Sequence, residues 1–526
     1  MADDQTFHDE IEGYCDRLSV RPGENVDLRV STRAERYDVL VERWGATREI
    51  VWSAADLPGS FVAPPSDADS QGCRWPVSAE IPVASEWRSG YYLITLTAHG
   101  APPGRNVAYA CFVVRGDAGT RHRALLVLAT NTWNAYNTWG GHSLYTGGSK
   151  VSFDRPFGRG LLCRPEVERD DRKARPVWRR EQPDVDGVNF QRYRTDNAYP
   201  SGIGSTGWFT HERRFVEWAE SAGHEFDYAV SSDLDADTVE LDGYDLVLSV
   251  GHDEYWSHGQ RAAVERHLRD GGDFASFSGN TMFWQVRLEG TSMVCHKYSA
   301  HVEDPVVAEG RPELMTGMWA DPLVGRPEWA LLGAGSAFGL YHRFGNATAR
   351  GVGGFVVYRH DHWLFDGTGL GYGDVLGADD GVVGYETVGC QIAFDELQLP
   401  VAARPPDTEN VEWASPPDDI EIVAFTPSSN LGMGDYPSSI AALSDQGDVE
   451  FIAERIYGDT RERSLARARH GNAVMLTCRP FGAAGGEVVT VGTTDWVFGL
   501  ANDPAVARVT ANVLDRYVGP ASRSEQ

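Results

Sequence analysis

Three short stretches of this sequence gather residues able to do chemistry, and each directly follows an apolar run. Residues 131–145 read NTWNAYNTWGGHSLY after ALLVLAT, residues 251–256 read GHDEYW after YDLVLSV, and residues 278–284 read SGNTMFW after DFASF. In GHDEYW, His252 and Glu254 stand two residues apart. In extended backbone both side chains point one way and Asp253 the other. A histidine and a carboxylate converging on one spot suit either a metal site or an acid–base pair. The plainer reading pairs Glu254 with an arginine and lets His252 cap a helix starting near Ser257. Zinc deaminases also use His-x-Glu, but they need a following Pro-Cys-x-x-Cys, which this chain lacks. Tyr136 and Tyr145 lie in a segment too polar for a core strand. Tyrosines in loops are mostly packing groups. As phenolates, however, they are hard anionic oxygen donors suited to ferric iron, and two phenolates with one carboxylate would neutralise a trivalent ion. Ser278 offers a different chemistry: at a strand end and before an expected helix it has the setting of a nucleophile elbow, with His252 as base. Its local sequence, SFSGN, is not Gly-x-Ser-x-Gly.

The elements that must position these residues change character along the chain. Up to about residue 120, NVDLRVST (25–32), YDVLVERW (37–44), YYLITLTA (91–98) and AYACFVVRG (108–116) alternate apolar and polar positions, the period of half-buried strands. They predict a β-sandwich of immunoglobulin-like type over residues 1–120, assigned to packing or assembly without catalytic residues. GDAGTRH (116–122) reads as a linker. Beyond it, ALLVLAT (124–130), DYAVS (227–231), YDLVLSV (244–250), DFASFS (273–278), AVMLT (473–477) and EVVTVG (487–492) read as buried strands. Helices are expected at 211–223, 260–269 and 503–517. This alternation predicts an α/β unit over 121–526 with a mostly parallel sheet, and ligands in such sheets sit at the carboxyl ends of strands. The glycine-rich stretch 290–470, with strand-like pieces GGFVVYRH and ALLGAG, reads as a β-rich insertion in that unit.

Bulk properties narrow the partners. At 526 residues, more than one domain is expected. A formal charge of -29 repels phosphate backbones and anionic lipids, so nucleic acid and membrane surfaces are poor partners. No run approaches the ~18 apolar residues of a membrane helix, and MADDQTFHDE has neither the basic start nor the apolar run of a secretory leader. The seven cysteines form no Cys-x-x-Cys pair, which argues against a disulfide framework or zinc ribbon and for a reducing, cytoplasmic setting.

The three motifs, together with VSFDRPF (151–157), FVEWAE (215–220) and the weaker GVVGYE (381–386), resemble, in order across some four hundred residues, the large (beta) subunit family of N,N-dimethylformamidase. The resemblance implies an immunoglobulin-like domain followed by a class I glutamine amidotransferase-like, flavodoxin-like α/β domain that lacks the usual cysteine nucleophile. It further implies a mononuclear Fe3+ held by two tyrosines and a glutamate, with zinc or manganese as alternatives, and hydrolysis of a small-molecule amide. On this chain the metal ligands would be Tyr136, Tyr145 and Glu254, with Tyr199 and Tyr255 as alternatives for the second tyrosine. His252 and Asn280 would be the catalytic residues, and Trp133, Trp139 and Trp256 would wall the pocket. The chain is shorter than the amidase, and its charged 164–200 segment looks inserted. A small partner subunit or a homo-oligomer would complete the assembly. Two rivals stand beside this reading: a serine hydrolase using Ser278 and His252, and a non-catalytic protein that binds a ligand or another protein.

Overall fold

The alternating runs of the N-terminal sequence become strands at Asn25–Thr32, Arg36–Trp44, Gly90–Ala98 and Val107–Val114. The computed structural model describes residues 10–116, 122–165, 196–200, 202–341, 346–347, 353–404, 413–430 and 447–520. Most of the expected 116–122 linker and of the inserted 164–200 segment lies outside them. Ile11–Cys15, Asn25–Thr32 and Ala79–Pro82 form one antiparallel sheet. Ser19–Val20, Val107–Val114, Gly90–Ala98, Arg36–Trp44 and Arg48–Pro58 form another. Val26, Leu28 and Ile81 of the first share a core with Val39, Ile94 and Phe112 of the second, so the N-terminal region is an all-β, two-layer structure.

The buried runs that follow build one ten-stranded sheet. Asp227–Val230, Ala124–Leu128, Leu246–His252, Asp273–Gly279 and Val488–Val491 are parallel neighbours in that order. From there the sheet turns antiparallel through His470–Cys478, Glu421–Ser429, Phe355–Val357 and Val375–Leu376. The molecule is therefore of mixed α/β class with an all-β start, and only half of its main sheet is parallel. The expected helices stand at Glu212–Ser221, His258–Arg269 and Pro504–Val518. Within 290–470, GGFVVYRH supplies the Phe355–Val357 strand, but ALLGAG does not make one: Trp329–Leu332 is a helical turn closed by left-handed Gly333. Four apolar residues are too few to separate the two periods. The region also carries helices Asp448–Tyr457 and Glu462–Arg469. Among the described residues no helix is long and apolar enough to cross a membrane.

The two parts are joined by more than surface contact. Trp44, Tyr91 and Val113 of the β region pack in the same core as Leu126, Trp208 and Phe215. Arg43 lies 2.7 Å from Glu220 on the Glu212–Ser221 helix, both largely buried. Burial alone would raise the Glu220 carboxyl, but Arg43 outweighs it and holds the group below its ordinary range. Arg43→Ala leaves that carboxylate without its cation. The expected cost is about 3–5 kcal/mol, visible as a lowered denaturant midpoint with an unchanged slope.

Candidate functional site

Adjacent parallel strands deliver the first two groups. Leu246–His252 and Asp273–Gly279 pair with His252 opposite Gly279, so His252 and Asn280 emerge side by side. A Cβ at Gly279 would sit 2.2 Å from the Glu386 carbonyl oxygen, so glycine there admits the segment carrying Glu386. Glu254 follows in the short connection to Tyr255–Ser257. Its N–H and that of Tyr255 are both accepted by Thr132 Oγ1, at 3.0 and 3.3 Å, and its carbonyl accepts from Trp284 N at 3.0 Å. Thr132 belongs to the turn Thr130–Ala135, which follows the Ala124–Leu128 strand and ends at Tyr136.

The polar residues of the 131–145 stretch, puzzling for a core, fold the loop that brings Tyr145 back beside Tyr136. Asn137 accepts from Trp139 N and Gly158 N and donates to Pro156 O. Buried Arg155 donates to the carbonyls of Asn137, Trp139 and Ser152. Leu144 N reaches Ala135 O at 3.0 Å. The N-terminal β region closes the outside of the loop: Asp69 accepts from His142 N at 2.7 Å, and Trp75 packs edge-on against Trp139.

The result is a convergence of acidic and phenolic oxygens. Tyr145 Oη lies 2.8 Å from both oxygens of Glu254, and Tyr136 Oη lies 3.1 Å from Oε2. The two phenol rings are 4.2 Å apart. His252 Nδ1 donates to Ser205 O at 2.8 Å, and its Nε2 lies 3.3 Å from Glu254 and 2.6 Å from Glu386. Nε2 is fully buried, yet the ring N–H direction is aligned with neither carboxylate. Asn280 donates to Glu386 Oε2 at 2.9 Å. Lys297 Nζ sits 3.2 Å above the Tyr145 ring.

Burial governs the electrostatics. It works against the His252 imidazolium, but the charges of Glu386 and Glu254 outweigh it and raise the ring to about 10. Glu254 would be raised by burial, yet His252 and Lys297 bring it below its ordinary range. Glu386 is raised, by burial first and then by Glu254, with His252 opposing. Burial and the neighbouring Glu254 push both phenols well up. Carboxylates and cations thus balance with the phenols protonated, and ionising a phenol here requires additional positive charge.

The candidate residues separate clearly in space. Tyr136, Tyr145, Glu254, His252 and Asn280 come together. Of the alternative tyrosines, Tyr255 directs its hydroxyl to that of Tyr145, at 2.9 Å, while Tyr199 packs elsewhere, against Arg159 and Gly160. Asp253 faces away as expected and takes a hydrogen bond from Ser249 Oγ. His252 caps no helix, since Ser257 caps His258–Arg269. Ser278 lies inside its strand and is followed by a turn and the strand Trp284–Glu289, not a helix. Its Oγ joins Ser249, Ser276 and Thr281 in a buried hydroxyl cluster, while the His252 nitrogens face Ser205 and the carboxylates. The three tryptophans expected to wall the pocket are core instead: Trp133 packs on Tyr91, Trp139 on Trp75 and Trp256 on Phe274. A small cleft, of about 40 Å³, does open on Tyr145, Glu254, Asn280 and Glu386, and its walls are Phe283, Trp284, Tyr298, Tyr341 and Phe451. Glu386 and Lys297 were missed. Glu386 ends GVVGYE, so the motif that carried the weaker resemblance held the signal.

These donors fit a cation. One ligand atom from each of His252, Glu254 and Glu386 lies within 4.8 Å of the others, and two phenol oxygens flank Glu254. Hard oxygen donors dominate the set, which suits a hard, highly charged ion over a soft one.

A family model described as "N,N-dimethylformamidase beta subunit-like, C-terminal" matches residues 38–508. An N,N-dimethylformamidase beta subunit from Paracoccus aminophilus is 26% identical over 269 residues, which is 48% of this chain and 31% of the relative. A protein of the same name from Alcaligenes sp is 25% identical over 265 residues, again 48% and 31%. The matched stretch thus spans less than a third of either relative's length.

Thr132→Val tests how the carboxylate is held. Two buried N–H groups lose their acceptor, at about 1–3 kcal/mol each, so denaturation should show a clear loss of stability; an unchanged midpoint would mean that Thr132 does not fix Glu254.

Proposed function

The chain belongs to the N,N-dimethylformamidase beta subunit-like family, and from that membership and its buried carboxylate–phenol cluster we propose that it hydrolyses amide carbon–nitrogen bonds with a bound metal ion. The observation that carries this reading is the placement of Tyr136 and Tyr145 on the same Glu254 carboxylate, with His252 Nε2 alongside. Tyr136, Tyr145 and Glu254 would hold the ion. The donor chemistry favours Fe3+ over zinc or manganese. Such an ion supplies Lewis acidity, polarising an amide carbonyl and lowering the pKa of water.

The chain's own groups supply the rest. His252 carries a proton at Nε2, between Glu254 and Glu386, and delivers it to the leaving nitrogen. Glu386, raised by burial, accepts a proton from the attacking water and shares it with His252. Asn280 turns its amide from Glu386 to the substrate carbonyl; losing such a donor typically costs ~3 kcal/mol of transition-state stabilisation. The aromatic walls exclude water and seat the substituents of the amide nitrogen.

Within this reading the N-terminal two-layer region is an immunoglobulin-like sandwich ending near residue 120, and the remainder is a class I glutamine amidotransferase-like α/β domain. The relatives are named as beta subunits, which supports a separate small subunit, or self-association, as partner. The free cysteines support a cytoplasmic location.

Elemental analysis and a visible spectrum of purified protein test the proposal. Stoichiometric iron is expected, with a phenolate-to-iron absorption band that Tyr136→Phe or Tyr145→Phe bleaches and an iron content that Glu254→Ala abolishes. Full iron in Glu254→Ala would remove that residue from the ligand set. Protein that neither contains nor takes up metal would point to a binding role instead. On N,N-dimethylformamide as probe, His252→Ala should lose about 10²–10⁴-fold in kcat; full activity would end its acid–base role.

A further inference from the structure

Exposure grades along the cleft. Glu254, Glu386, Trp284 and Ile452 at its inner end are almost wholly buried, whereas Tyr298 is 46% exposed. Tyr298 and Asp448 therefore stand at the mouth, on opposite sides of it. Tyr298 belongs to the short turn Lys297–Ser299, directly after the lysine that covers Tyr145. Asp448 is the first residue of the helix Asp448–Tyr457, whose Phe451 and Ile452 form the facing wall. The two sides are tied together: Tyr298 Oη donates to Asp448 Oδ1 at 2.8 Å, and the Tyr298 ring stands edge-on to Phe451 at 4.8 Å and to Trp284 at 5.3 Å.

We propose that the Tyr298–Asp448 hydrogen bond is a latch across the mouth of the cleft that limits substrates to amides with compact N-substituents. This rests on the hydrolase reading of the site. The latch fixes the separation between the turn and the helix, so the aromatic space behind it cannot widen for a bulky group. Tyr298 acts on specificity by closing the mouth, through its bond to Asp448.

The experiment compares N,N-dimethylformamide with N-benzylformamide on wild type, Tyr298→Phe, Tyr298→Ala and Asp448→Ala, by turnover and separately by calorimetric binding. Tyr298→Phe and Asp448→Ala break the tie from either side, and Tyr298→Ala also removes the ring. All three should raise the benzyl-to-dimethyl ratio of kcat/KM, Tyr298→Ala by about tenfold or more, since discrimination in such pockets runs at roughly 10–200-fold. The binding ratio should move in the same direction. Binding without turnover in wild type would overturn the hydrolase reading and leave the latch to be judged on the binding ratio. A ratio that stays within about twofold of wild type in every variant would overturn the latch and leave the hydrolase reading intact. Failure of all the proteins to bind either amide would overturn the latch as a substrate filter.

Discussion

Everything in this site depends on how a carboxylate survives away from water. Glu254 is buried beside a second carboxylate, Glu386, with both oxygens facing phenols and His252. Two buried carboxylates this close cannot both stay ionised without positive charge between or around them. The protein answers with His252, raised to about 10, and with Lys297 over the Tyr145 ring. This is a costly arrangement for stability alone, because apolar residues of similar volume would serve a core as well or better. It suits the proposed hydrolysis, as a preorganised electrostatic environment in which fixed dipoles and charges replace solvent.

The fold makes that arrangement affordable by distributing the work. Adjacent strand ends set His252 and Asn280 side by side. Thr132 locks the backbone of Glu254, and a polar loop knitted by Asn137 and Arg155 presents the second phenol. The segment bearing Glu386 arrives from the antiparallel half of the molecule and can approach only because Gly279 has no side chain. No single element contains the site, which lies where the parallel strands end and residues from the 290–470 stretch fold over them.

Much of this was legible in the sequence. The long strands and helices carried clear periods, and the rule that ligands gather at strand carboxyl ends led to the three segments 131–145, 251–256 and 278–284, within which the family resemblance singled out Tyr136, Glu254 and Asn280. What escaped notice did so for physical reasons. Glu386 lies 106 residues from Asn280, in glycine-rich chain with no periodic signal, so nothing local linked the two. The placement of Lys297 over a tyrosine ring is a tertiary fact with no sequence signature. Trp133, Trp139 and Trp256 were misread as pocket walls because proximity in sequence says nothing about which side of a loop a ring faces; the motifs line the cleft through Tyr145, Phe283 and Trp284 instead, and Tyr298, Tyr341 and Phe451 come from elsewhere. ALLGAG was too short for its period to show, and the antiparallel half of the main sheet cannot be inferred from strands that look equally apolar in either orientation.

The seam between Asp69–Trp75 and the tyrosine loop makes the β region something other than a passenger. Because the loop's outer surface is finished by a distant part of the chain, damage there would be transmitted inward: a protease cut between residues 67 and 75, or loosening of the whole sandwich on warming, would release the Gly141–His142 bend and let the phenol of Tyr145 drift from its carboxylate. The cluster and mechanical integrity would then be lost in the same event, so this chain should have no long-lived state in which the carboxylate–phenol cluster stays assembled while the β region is unfolded.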